Sequence, residues 1–144
     1  MYLFTIIAAV FWAFYEIQIE GKNGWAKELP TWKIKNPFMK MVDWPYVDGY
    51  HLWLFILSLF IFHFPYFLSH PLNIFNELTI LINYILFVTL EDFFWFVFNP
   101  SWGIKKFLTK TIPWQKKKIL GFPKNYFVAV LIITILFLIR KHTG

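Results

Sequence analysis

Four long apolar runs alternate with polar, Lys- and Trp-rich stretches along the chain. The run from Pro71 to Phe98 contains no Gly, no internal Pro and no basic side chain. A bilayer core of about 30 Å needs about 20 apolar residues at about 1.5 Å each, so this run is long enough to cross a membrane. Pro71 suits a first helical position, with His70 or Ser69 before it as cap, and Asn99 precedes Pro100, which pushes it out of the helical region. The other runs predict spans over 2–19, 49–67 and 122–139, with 71–98 as the third. The second opens behind Asp48, a favoured N-cap whose carboxylate can accept from the amide of His51. The short 65–70 link makes the second and third spans an antiparallel hairpin. The fold class expected is all-α integral membrane: one domain over 1–144, a four-transmembrane-helix bundle with interfacial amphipathic segments in its two long loops.

The first span has no early Lys or Arg and runs into Glu16 and Glu20, which argues for a retained span and against a cleaved signal peptide. Glu20 reads as a helix end emerging into water; Glu16 lies a turn deeper. The loop 21–47 mixes Pro, Trp and Lys in the manner of a headgroup-level segment, with short helices expected around Trp25–Leu29 and Pro37–Met41. After Pro100, an in-plane helix over Ile104–Ile112 and a second basic surface piece are expected. The fourth span has no ionisable group inside it and reads as a lipid-facing packing helix.

The polar residues inside the spans point to chemistry. At about 100° per residue, His70, Asn73, Glu77, Tyr84 and Glu91 fall on one stripe of the third span. Apolar sequence continues after Glu91 and Asp92 as far as Phe98, so the pair is embedded. Adjacent carboxylates there demand a cation, which a metal, a protonated His51 or a loop Lys can supply. Asp48 and His51 share a helix face at i, i+3, spacing that lets two side chains reach one ion. Glu16, Asp48, His51, Glu91 and Asp92 thus form an expected ligand set, with Glu16 or Glu91 as catalytic base. A hydrogen-bonded network that orients the helices and a proton or ion path are the competing readings. His63, His70 and Glu77 form a second, weaker set at the opposite end.

Composition narrows the class: 58% hydrophobic and 24% aromatic residues are too many for a soluble domain of this length. The absence of Cys removes disulfides, thiolate metal sites and cysteine nucleophiles. A net charge of +6 invites a nucleic-acid reading, but the Lys residues lie in loops beside the spans, where anionic lipid headgroups and topology account for them. Twelve Lys fall in or beside the two long loops, against Arg140 and Lys141 on the other side. The positive-inside rule then makes the loops cytoplasmic and places both termini outside the cell membrane. Oxygen-rich ligation with one His suits Zn, Mn, Mg or Fe. The function expected is a metal-dependent enzyme that hydrolyses, or transfers a group on, a lipid or lipid-linked substrate at the cytoplasmic interface. The alternatives are a non-catalytic small subunit of a larger membrane complex and a small ion or metal transporter; the partners expected are the bilayer, its anionic headgroups, and further copies of the chain or other membrane subunits.

Overall fold

The computed structural model describes residues 1–35, 46–109 and 111–143. Four segments are helical, long and apolar enough to cross a membrane. They are α1 (Tyr2–Glu20), α2 (Gly49–His63) continued by a 3₁₀ turn (Phe64–Leu68), α3 (Ile74–Phe98) and α5 (Lys124–Thr143). The short helix α4 (Gly103–Thr109) and two small antiparallel hairpins, β1 (Lys33–Ile34) with β2 (Val47–Asp48) and β3 (Lys118–Ile119) with β4 (Phe122–Pro123), fill the connections. The in-plane helix expected over 104–112 is therefore shorter, and the basic piece after it is a hairpin. The helix expected around Trp25 is a run of turns, with Trp25 and Ala26 at φ 50° and 47°. The helix expected around Pro37 lies outside the described residues.

Local chemistry sets the helix ends. Asp48 caps α2 by accepting from the amide of His51 at 2.9 Å. Asn73, rather than His70 or Ser69, caps α3, accepting from the amide of Asn76 at 2.8 Å. Helix α3 stops at Asn99, held in extended backbone before Pro100.

Helix α3 is the element against which α1, α2 and α5 all pack. Along α1 the small residues Ala9 and Ala13 are fully buried, which brings the two backbones close. Thr5 Oγ1 donates to Asn83 Oδ1 at 2.9 Å near one end of this interface, and at the other Asn99 Nδ2 donates to the carbonyl of Gly21 at 2.8 Å. Helices α1 and α3 consequently run in the same direction. Phe4 against Phe62, and Arg140 over the ring of Phe75, show that α2 and α5 run the opposite way. The polar stripe of α3 faces α2: Glu77 meets His63, and Tyr84 donates to the carbonyl of Phe55 at 3.0 Å.

An aromatic cluster of Trp95, Phe96, Phe107 and Trp114 closes the loop end of α3. Gly24 passes beneath it at φ +58°, where an added Cβ would stand 2.6 Å from Trp114 Cη2. Gly21 has a similar φ of +60° but open space around it. Gly24→Ala should therefore lower stability by about 2–4 kcal/mol through strain plus overpacking, and Gly21→Ala by about 1 kcal/mol through strain alone. Thermal unfolding of the two variants in one detergent checks the difference.

Candidate metal centre in an amphipathic cavity

Glu16 and Glu20 lie one turn apart at the end of α1, and both meet the start of α2. His51 Nε2 stands 3.3 Å from Glu20 Oε1. One ligand atom from each of Glu16, Glu20 and His51 lies within 4.8 Å of the others. Two ligands at about 2.1 Å from one ion stand no more than about 4.2 Å apart, so a small rotamer movement suffices to close the set. Glu91 faces the same space from α3. It is buried, and its Oε1 has no hydrogen-bond partner among the described residues.

The surroundings hold these side chains in place. Asp48, fully buried, uses one carboxylate oxygen to cap α2 and the other to meet His51 Nδ1 at 2.7 Å. That contact fixes the imidazole so that Nε2 is the nitrogen presented to the carboxylates, the usual arrangement behind a metal-ligating histidine. Trp25 stacks on the other side of His51, ring centroids 4.6 Å apart and planes at 25°. A reciprocal pair anchors Trp25: its Nε1 donates to the Tyr46 carbonyl at 3.2 Å, and the Tyr46 hydroxyl donates to the Trp25 carbonyl at 2.9 Å. Burial, with the carboxylates of Asp48 and Glu20 nearby, pushes the Tyr46 phenol above its ordinary range and keeps it a donor. Glu20 Oε1 also accepts from the amide of Ala26 at 2.5 Å.

Asp92 is differently engaged. Gln115 Nε2 donates to one of its oxygens at 2.9 Å and the Tyr126 hydroxyl to the other at 2.6 Å. It ties α3 to α5 and to the loop before it, and both oxygens are taken.

These groups line one end of a cavity of about 440 Å³. Trp25, Trp95 and Trp114 border the polar end, and Phe55, Ile85, Val88, Val128, Ala129 and Ile132 form an apolar remainder. No Lys or Arg lines it among the described residues.

Of the residues singled out from the sequence, Glu16, His51 and Glu91 meet in this cavity. Asp92 also lines it, but its oxygens accept from Gln115 and Tyr126, and Asp48 stands behind His51; neither belongs to the converging set, a correction to their expected role as ligands. Glu20, read as emerging into water, is instead a member of the triad with its side chain only 3% exposed. Its i, i+4 spacing from Glu16 is the sequence signal that could have placed it there. At the opposite end, His63 Nε2 meets Glu77 Oε1 at 3.1 Å, but the third partner is Tyr66, which donates to Glu77 Oε2 at 3.0 Å. His70 is exposed, so the second, weaker set expected from His63, His70 and Glu77 is replaced by a hydrogen-bonded latch joining the 3₁₀ turn to α3.

No protein-family model, curated protein or solved structure matches the chain.

Asp48→Ala removes a helix cap and the acceptor for His51 Nδ1 together, and should cost about 2–4 kcal/mol; Asp48→Asn, which can still cap, should cost about half as much. Thermal unfolding of both variants tests the double role: equal losses would show that capping is not separable from the histidine contact.

Proposed function

We propose that the chain is a four-helix membrane bundle whose Lys-rich loops face the cytoplasm, with both termini outside, and that it is a metal-dependent enzyme. Glu16, Glu20 and His51 hold a divalent ion, with Glu91 as fourth ligand or as base. The reaction class is hydrolysis or group transfer on a lipid or lipid-linked substrate that enters from the membrane. The observation that carries this reading is the convergence of the Glu16, Glu20 and His51 ligand atoms beside a partnerless oxygen of Glu91.

The donor set fits the group. Several carboxylates and one imidazole suit a borderline or hard ion such as zinc, manganese or iron, with magnesium less favoured by the histidine. Like charges at this spacing inside apolar helices need compensation, and among the described lining residues no basic side chain other than His51 is present to provide it. Glu91, its Oε1 without a donor of its own and its carboxyl beside that of Glu16, is a group that a bound ion would satisfy. A bound ion would supply Lewis-acid polarisation of a carbonyl or phosphoryl oxygen. The residues would do the rest. Asp48 holds the His51 ring, Trp25 and the turn after α1 restrict water, and Glu91 would take the proton of the attacking water or hydroxyl and pass that same proton to the leaving oxygen. The Trp- and Lys-bearing loops would meet anionic headgroups at the interface.

Protein purified without chelator should retain close to one divalent ion per chain by elemental analysis. His51→Ala and Glu20→Gln should lose it, Asp48→Ala should bind it about 10- to 100-fold more weakly, and Glu77→Gln should be unaffected. Ligation needs deprotonated carboxylates and a neutral imidazole, so the thermal stabilisation given by added metal should shrink as pH falls. A chain with no retained metal, and with no melting shift on titration with zinc, manganese or iron, would remove the proposal.

A further inference from the structure

At the tip of the β3–β4 hairpin, Leu120 and Gly121 both take positive φ, 51° and 87°. A two-residue turn of this shape asks for Asn-Gly, because most side chains are strained in the left-handed region. Here the first position is Leu, and it is 89% exposed. The chain thus accepts backbone strain to hold a large apolar side chain outward, the kind of outlier that points to a use. Neighbouring residues extend the patch. Ile104 and Leu108 of α4 and Ile119 beside the tip are exposed as well, and a Cβ added to Gly121 would stand 3.7 Å from Leu108 Cδ2, so the two elements present one apolar surface. Exposed lysines flank both elements: Lys105 and Lys106 in α4, Lys116 and Lys117 before the hairpin, and Lys124 after it. In the other loop, by contrast, Lys33 Nζ turns back to the carbonyls of Lys27 and Leu29, at 2.9 and 3.3 Å.

Aromatic packing fixes the level of this patch. The ring of Phe107 in α4 lies 5.8 Å from that of Phe93 and 4.9 Å from that of Phe96, both in the last two turns of α3. Phe122 of the hairpin lies 5.9 Å from Phe107 and 6.4 Å from Tyr126, in the first turn of α5. The patch therefore lies beside the ends of the long helices and not past them, the level at which headgroups give way to acyl chains. We infer that α4 and the β3–β4 hairpin form a wedge seated in an anionic leaflet, Leu120 entering the hydrocarbon with Ile104, Leu108 and Ile119 while the flanking lysines hold phosphate-bearing headgroups. Apolar burial and lysine attraction add at such a surface. The wedge goes beyond the reaction proposed above: it rests on the four helices lying in a membrane and not on the metal.

The chain has no Cys, so Leu120→Cys and Ile135→Cys each give a single thiol for a fluorescent NBD label on the full chain, reconstituted in vesicles of phosphatidylcholine with phosphatidylglycerol. Lipids brominated along the upper acyl chain should quench both labels, and aqueous iodide should reach neither. A label at Ile119→Cys should lose most of its bromolipid quenching when Leu120→Asn is added, a change that suits the turn and keeps the hairpin. The wild-type chain should hold spin-labelled phosphatidylglycerol in preference to phosphatidylcholine, and Lys105→Gln, Lys116→Gln and Lys124→Gln should each weaken that preference by up to about fivefold. Quenching at 135 with iodide access at 120, equal holding of the two lipids, or a label at 120 shielded from both quenchers, as a protein partner would shield it, would each overturn the inference and leave the membrane bundle standing. Absence of bromolipid quenching at 135 would remove the bundle and the wedge together.

Discussion

Carboxylates embedded in helices apolar enough to cross a membrane impose the constraint that the rest of this structure answers. Glu16, Glu91 and Asp92 sit inside α1 and α3, where an isolated charge costs several kcal/mol. Each is met by a different device. Asp92 is given two donors from distant parts of the chain. Glu16 is brought beside Glu20 and His51, and Glu91 is set into the same space with one oxygen unmatched. The loop after α1 is shaped by this need as well, since its turns bring the amide of Ala26 to Glu20 and the ring of Trp25 to His51.

The division of labour among these groups explains why His51 has so little freedom. One face of its ring is stacked, Nδ1 is held by an aspartate that also starts the helix, and Nε2 alone remains for a ligand. Precision of this kind is what a metal centre needs from its supporting residues. The latch of His63, Glu77 and Tyr66 lacks it: both Glu77 oxygens are satisfied by neighbours and the site is partly open to solvent. Two clusters of similar composition thus differ in whether any valence is left over.

Much of the fold was legible because hydrophobic runs and caps are local signals. The start of α2 behind Asp48 and the stop of α3 before Pro100 follow from single residues, and the four apolar runs match the four long helices to within a few residues. The shared face of Glu77, Tyr84 and Glu91 was legible too, since a helix displays its faces by arithmetic, but not that α2 would meet the first two. What the pattern did not reveal depends on the chain returning to itself. Glu20 ends an apolar run and looks hydrated until the turn at Trp25 folds over it. Asp92 looks like a ligand until Gln115 and Tyr126 arrive from residues far along the chain. Tyr66 took the place expected of His70 because the 3₁₀ turn at Pro65 rotates the link in a way that no helical periodicity describes.

The parallel run of α1 and α3, pinned where Asn99 reaches Gly21, has a consequence for biogenesis. The two partners are separated by 78 residues, so α1 leaves the ribosome long before the helix that covers its polar face exists. During that interval Glu16 and Glu20 are met first by the turn at Trp25 and Ala26 and then by His51, and still lack the helix that carries Glu91. Only when α3 arrives can α1 gain the packing of Ala9 and Ala13 and the bond from Asn99 to Gly21. Assembly of the centre is then a late event in translation, and the order of synthesis, rather than the finished packing, sets when the acidic groups are drawn inside.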